Sequence, residues 1–210
     1  MTSSTQRQSL RQQLRQQRRQ LSLKQQHAHG KRLANNLRLN RYFSQVKDVA
    51  FYLAEDAEIS TSAAIKAAWK SHKNVYLPVL SPYADELFFA PYRPTTSLKL
   101  NRFGIAEPAV AIRHCKRAHQ LQLIFMPLVG FDIKGNRLGM GGGFYDRSLH
   151  FRQHQQSWRK PRLIGLAHEC QKVAAIPVEH WDIPLDGIAT EKTFYKIKSS
   201  CQKQSRFEET

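Results

Sequence analysis

The residues of this chain best suited to chemistry fall in one stretch, residues 121–147, which read LQLIFMPLVGFDIKGNRLGMGGGFYDR. Gly130 to Gly143 reads as a loop that holds six of the chain's ten glycines. Glycine lets backbone N–H groups approach an anion with no side chain between them. From Phe144 onward, Tyr145, Leu149 and Phe151 recur at helical spacing, with Asp146 in the first turn. The open N–H groups and the dipole at such a helix start favour negative charge. Arg137 can add a guanidinium fork matched to phosphate oxygens. Asp146 is the odd member, because a carboxylate repels phosphate unless a cation lies between them. Mg²⁺ suits that place, since it takes one or two carboxylates together with phosphate oxygens. The stretch has no G-x-x-x-x-G-K-[ST], and GMGGG is not G-x-G-x-x-G, so it is neither a P-loop nor a dinucleotide fingerprint. The competing reading is a flexible surface loop between strand and helix.

The elements around this loop suggest an α/β order. Leu121 to Met126 is an apolar run ended by Pro127, as expected of a buried strand. Val49 to Leu53 is an earlier strand candidate, followed by a helix from about Thr61 to Ser71 with Ser60 or Thr61 as N-cap. Asn74 to Pro78 then gives a second strand, so this part reads as a βαβ unit with parallel strands. Glu86 to Tyr92 is a third apolar run, and residues 93–120, with Pro94, Gly104 and Pro108, read as irregular. A helix over 144–156, a strand at Arg162 to Ala167 and a strand at Ile188-Ala189-Thr190 follow. Residues 5–40 read as helix, with Leu10, Leu14 and Leu21 near one face and a break at Gly30. One domain over residues 1–195, with a polar tail at 196–210, is the expected organisation.

Composition narrows the function classes. No apolar run approaches a membrane span, and no secretory segment follows the N-terminus. Cys115, Cys170 and Cys201 stand far apart, which fits a reducing cytoplasm and argues against a disulfide framework or zinc site. The formal charge is +17, and residues 1–47 carry eleven Lys or Arg and no acid. That segment is open to three readings: a solvated basic helix face, a transit peptide, or an anion-binding arm, with the solvated face leading. The HCKRAH run at 114–119 reads as a solvated basic segment, and His150 and His154, four apart, as solvent-exposed. A nucleic-acid-binding module is the alternative class, but the concentration of charge in one helix and the lack of aromatic-interleaved basic motifs speak against it. A sugar-phosphate enzyme on the same sheet is a third option.

The stretch PLVGFDIKGNRLGMGGGFYDR strongly resembles the signature of the 5-formyltetrahydrofolate cyclo-ligase family, close to P-x-x-x-F-D-x-x-G-x-R-L-G-x-G-x-G-[YF]-Y-D. Pro127, Phe131, Asp132, Gly135, Arg137, Leu138, Gly139, Gly141, Gly143, Phe144, Tyr145 and Asp146 all fit it. The resemblance runs from about Arg7 to Thr190. It implies a three-layer Rossmann-like fold with a mainly parallel sheet, of the type shared by sugar-phosphate isomerases and CoA transferases. It also implies ATP- and Mg²⁺-dependent closure of 5-formyltetrahydrofolate to 5,10-methenyltetrahydrofolate. Arg7-Gln8-Ser9-Leu10-Arg11 resembles the family's basic N-terminal motif, so Arg7 and Arg11 would reach ATP phosphates, although Gln8 stands where relatives often have a second base. By the same resemblance Arg137, Leu138, Gly139, Met140, Gly141, Gly142, Gly143, Phe144 and Tyr145 line the ATP site, with Met140 and Gly142 where some members carry bases. Arg137 and Tyr145 would act in catalysis. Leu53, Glu58, Phe144 and Tyr145 would bind the folate, Glu58 through paired pterin N–H donors. Asp146 and Asp182 would hold Mg²⁺, with Asp186 as the rival of Asp182. The implied partners are ATP and 5-formyltetrahydrofolate, in its polyglutamylated form too, and the expected state is a cytoplasmic monomer without nucleic acid or membrane.

Overall fold

A computed structural model describes residues 3–154 and 160–197. In chain order it contains α1 (Ser3–Arg19), α2 (Leu23–Arg38), α3 (Arg41–Ser44), β1 (Asp48–Ala50), α4 (Ser62–Lys70), β2 (Asn74–Leu80), β3 (Leu87–Pro91), β4 (Leu98–Leu100) and β5 (Ala106–Pro108). Then come β6 (Leu123–Pro127), β7 (Gly130–Phe131), β8 (Arg137–Leu138), α5 (Phe144–Ser148), α6 (Phe151–His154), β9 (Arg162–Leu166), β10 (Gly187–Ala189) and β11 (Phe194–Lys196). Seven strands form one sheet in the order β11-β10-β9-β6-β1-β2-β3. The five inner strands run parallel, and each edge is closed by an antiparallel strand, β11 on β10 and β3 on β2. The predicted β1–α4–β2 crossover is present, with Val49 paired to Val75 and Ala50 to Tyr76.

The apolar run at β6 has a simple cause. A strand covered on both faces cannot alternate apolar with polar residues. Leu123 and Phe125 enter the core beneath α2 and α4, with Leu33, Leu37, Phe51 and Ile65. Ile124 and Met126 enter the opposite core, with Phe131, Leu149, Leu163 and Ile188. The molecule is therefore a three-layer α/β fold, as expected.

Several boundaries differ from the sequence reading. The N-terminal helices break at Gln20–Ser22, not at Gly30. Ser22 caps α2 through a reciprocal pairing with Gln25. Gly30 lies buried inside α2 because α2 packs closely there; a Cβ would stand 3.0 Å from the Ser60 carbonyl oxygen. Thr61 precedes α4 without capping it, since its hydroxyl donates to the Tyr52 carbonyl at 2.6 Å. Residues 93–120 are not irregular throughout: β4 and β5 form an antiparallel ribbon turned by Asn101 and Gly104, whose φ is +74°. In the basic run, Lys116 is tied down by an ion pair with Asp48 at 2.9 Å. The helix expected over 144–156 is two short pieces, α5 and α6, and residues 155–156 lie outside the described residues. So do Cys201 and most of the polar tail. No described helix is long and apolar enough to cross a membrane.

Candidate active site

Where the chain leaves β1 and β6 at their carboxyl ends, the sheet opens a cleft of about 810 Å³, the usual ligand position in open α/β sheets. Its floor at one end is the glycine loop. Asp132 builds the loop's base. Its buried carboxylate accepts from the backbone N–H groups of Lys134, Asn136 and Ile176, fixing the turn between β7 and β8. Side chains alternate along β8, so Leu138 is fully buried while Arg137 faces the cleft. Gly141 and Gly143 hold φ of +103° and +67°, values that L side chains rarely adopt, and they turn the chain into α5.

Arg137 forms ion-pair contact with Asp146 and donates to the Ile183 carbonyl. Asp146 also accepts from the Ile183 N–H at 3.2 Å. Arg7 pairs with Asp182 at 2.5 Å and donates to the Pro177 carbonyl at 2.9 Å. The Asp182 hydrogen bond raises the Arg7 pKa against the effect of burial. Arg11 donates to the Gly139 carbonyl at 2.8 Å. Burial, then the charge of Arg7, weaken the hold of Arg11 on its proton. One wall of the cleft thus carries three guanidinium groups, and two of them are paired to carboxylates.

The other end is greasier. Leu53 and Phe144 line it, with Tyr52, Leu77, Phe103 and Trp181. Phe103 meets Phe144 edge-on at 5.8 Å. Glu58 stands here with a side chain 12% exposed. Burial pushes its pKa up to about 7, opposed by the Glu55 N–H and by Arg18. The Tyr145 hydroxyl is buried beside it without a hydrogen-bond partner among the described residues, and burial raises its pKa.

The cleft brings together Arg7, Arg11, Leu53, Glu58, Arg137, Gly139, Met140, Gly141, Gly142, Gly143, Phe144, Tyr145, Asp146 and Asp182. Leu138 is the exception: it points into the core and offers the site only its backbone, whose carbonyl accepts from Val129. Asp186 is set apart. It is paired to Arg152 and Arg162 and accepts from the Leu163 N–H, at the amino end of β9. The solvated-face reading of the N-terminal arm fails for α1. Arg15, Arg18 and Arg19 all bind Asp56, and Arg18 is wholly buried. Sequence reasoning missed the β4–β5 ribbon, which supplies Phe103, Ile105 and Glu107 to the cleft. The alternation of Leu98 and Leu100 ahead of an N-x-x-G turn was the available signal.

A sequence profile described as the 5-formyltetrahydrofolate cyclo-ligase family matches residues 3–191. The chain belongs to the 5-formyltetrahydrofolate cyclo-ligase family. A 5-formyltetrahydrofolate cyclo-ligase of Haemophilus influenzae is 43% identical over 186 residues, 87% of this chain and 96% of that one. The Escherichia coli K12 protein of the same name is 42% identical over 171 residues, 81% of this chain and 92% of the relative. Among solved structures, a 5,10-methenyltetrahydrofolate synthetase of Aquifex aeolicus superposes with a TM-score of 0.77 at 26% identity, covering 96% of this chain and 99% of that one. The chain is thus an enzyme, a cyclo-ligase of folate metabolism.

Proposed function

We propose that this cyclo-ligase uses ATP and Mg²⁺ to close 5-formyltetrahydrofolate into 5,10-methenyltetrahydrofolate, with release of ADP and phosphate. One observation carries the reading: a single cleft has a cationic, glycine-floored end and an apolar end with a carboxyl group. The first suits a triphosphate and the second a pterin. A pterin presents adjacent N–H donors, and an ionised Glu58 accepts two at once. Leu53 and Phe144 offer the ring apolar contact.

The donor set at the anionic end fits a hard cation, because carboxylates and phosphate oxygens are what Mg²⁺ takes. Asp146 and Asp182 would hold it, and bound there it neutralises charge on the phosphate oxygens. Arg137 and Arg7 already reach these carboxylates. Arriving phosphates therefore draw the arginines onto themselves and leave the carboxylates free. The formyl oxygen attacks the γ-phosphorus, and the bond to the ADP oxygen breaks. Nitrogen N10 then attacks the formyl carbon and loses its proton. The carbon–oxygen bond breaks, and phosphate leaves with the former formyl oxygen. Phosphoryl transfer asks for alignment and charge stabilisation more than for a protein nucleophile. Arg7, Arg11, Arg137 and the backbone of residues 139–143 answer that need, and the Tyr145 hydroxyl is open to bond the folate near its reacting groups.

The test follows the absorbance of the methenyl product while 5-formyltetrahydrofolate, Mg²⁺ and ATP are added in turn. Product is expected only with all three, and Asp146→Asn is expected to lower kcat by about 10²-fold or more. Folded protein that forms no product, or forms it without ATP, overturns the proposal.

A further inference from the structure

Outside the cleft, three ligating side chains from three separate elements meet at one point. His29 comes from α2, His168 from the turn after β9, and Glu191 from the turn after β10. The two imidazole Nδ1 atoms face each other at 2.9 Å, and Glu191 Oε1 lies 3.7 Å from the same nitrogen of His29. All the ligand atoms fall within 4.8 Å of one another. In a tetrahedral zinc site with bonds near 2.1 Å, neighbouring ligand atoms stand about 3.4 Å apart. The observed spacings bracket that value.

We propose that His29, His168 and Glu191 form a binding site for one divalent transition-metal ion of the Zn²⁺ type. Two imidazoles and one carboxylate suit such an ion and not Mg²⁺ or Ca²⁺, which prefer all-oxygen shells. The ligands are held from outside. The second oxygen of Glu191 accepts from the Glu169 N–H at 3.0 Å, and the backbone N–H of His168 donates to Gln171 at 2.8 Å. The Glu191 bond orients that carboxylate before an ion arrives, the His168 bond fixes its backbone, and the ring Nε2 of His168 is buried without a partner among the described residues. The nearby cation, Arg18, is already paired with Asp56. The His29 side chain is 17% exposed, which leaves a side open for a water as fourth ligand. None of the three residues lines the folate cleft. Bound there, the ion would pin α2 to the carboxyl end of β10.

The experiment uses the untagged full chain, stripped with a chelator and then titrated with Zn²⁺ against a chromophoric competitor. One ion per chain is expected. His29→Gln and Glu191→Gln should each weaken binding by about tenfold or more, with circular dichroism confirming their fold. Cobalt loading should give the visible absorption of a four-coordinate site in the parent chain and lose it in both variants. Absence of a stoichiometric ion overturns the proposal, leaving two imidazoles that share only a proton. Variants that bind as the parent does also overturn it, by placing the ion on other histidines. Should a variant fail to fold, the cobalt spectrum of the parent decides, and a parent without that absorption sinks the site.

Discussion

A carboxyl group enclosed as Glu58 is loses much of the hydration that stabilises its charge, and its pKa rises from 4.5 to about 7. The folded state therefore favours the protonated form. The stability this gives is complete below pH 4.5 and is lost as pH rises through about 7. The pterin contact proposed for Glu58, by contrast, needs the ionised acceptor. Folate affinity in the free enzyme should rise with pH through about 7, and kcat/KM should follow. Glu58→Gln should remove that step and lower kcat/KM by roughly 10- to 100-fold, the range for a hydrogen bond to a charged group. Its melting temperature above pH 7 should be no lower than the parent's. A pH profile that survives the substitution would assign the titration to another group. Tyr145 makes a parallel case. A buried hydroxyl with no partner costs stability in the absence of substrate. Tyr145→Phe should hold or raise the melting temperature while lowering turnover about tenfold; a fall in both would mean the hydroxyl has a structural partner. The order of residues 127–146 made this part of the site readable from sequence, because the loop's glycines, Arg137 and Asp146 are neighbours in the chain. Tyr52 and Trp181 were not readable. They reach the cleft only through the layer packing, and an isolated aromatic looks the same in a core as in a pocket.

At the scale of elements, the carboxyl-terminal half of α1 converges on one residue. Asp56 receives Arg15 at 2.8 Å, Arg18 at 2.7 Å and Arg19, and its backbone carbonyl receives Arg18 again. It does so from a left-handed conformation, φ +49°, followed by Ala57 at φ +59°. Two such residues in succession cost of order 1–3 kcal/mol each and persist only where surroundings impose them. The clamp stands two residues before Glu58, and Arg18 lies 4.0 Å from the Glu58 carboxylate. One junction therefore sets both the helix that carries Arg7 and Arg11 and the loop that carries Glu58. Burial alone would raise the Asp56 pKa, but the three arginine hydrogen bonds outweigh it and hold it below 3.8. Its contribution is present above pH 3.8 and is lost as pH falls through the lower folded value. Asp56→Asn keeps a side chain that tolerates the left-handed region and removes only the charge. It leaves Arg18 buried without its carboxylate, so a loss of about 3 kcal/mol is expected in chemical denaturation. KM should rise for ATP and folate together; a rise confined to one would separate the helix from the loop. The sequence held part of this arrangement. Ser22 and Gln25 are spaced as a capping box and mark the true start of α2, whereas Gly30 drew attention as a breaker. Glycine serves there as a contact surface, and nothing local distinguishes the two uses. Nothing adjacent in the chain marks Asp56, because its three partners lie 37 to 41 positions away.

For the whole molecule, the question is what a charge of +17 does. Of the eleven bases before Asp48, five are bonded within the chain: Arg7 to Asp182, Arg11 to the glycine loop, and Arg15, Arg18 and the half-exposed Arg19 to Asp56. The rest, Lys24, Lys31, Arg32, Arg38, Arg41 and Lys47, are exposed. Contacts within the chain thus occupy five of the arm's eleven bases. The exposed group still contributes to a positive field at a distance. Such a field raises the encounter rate with polyanions and is screened over about 8 Å at physiological ionic strength. Added salt should therefore lower kcat/KM for folate and leave kcat nearly unchanged, since bound substrate no longer depends on encounter. The slope should steepen with each glutamate on the substrate tail, because each adds a negative charge. Replacing Lys31 and Arg32 with glutamine should flatten the slope without altering kcat, as neither residue lines the cleft. Stopped-flow binding at several salt concentrations separates this from weakened contacts, which would appear in the dissociation rate. A salt effect confined to dissociation would place the relevant charges inside the cleft and leave the outer six without a part in catalysis.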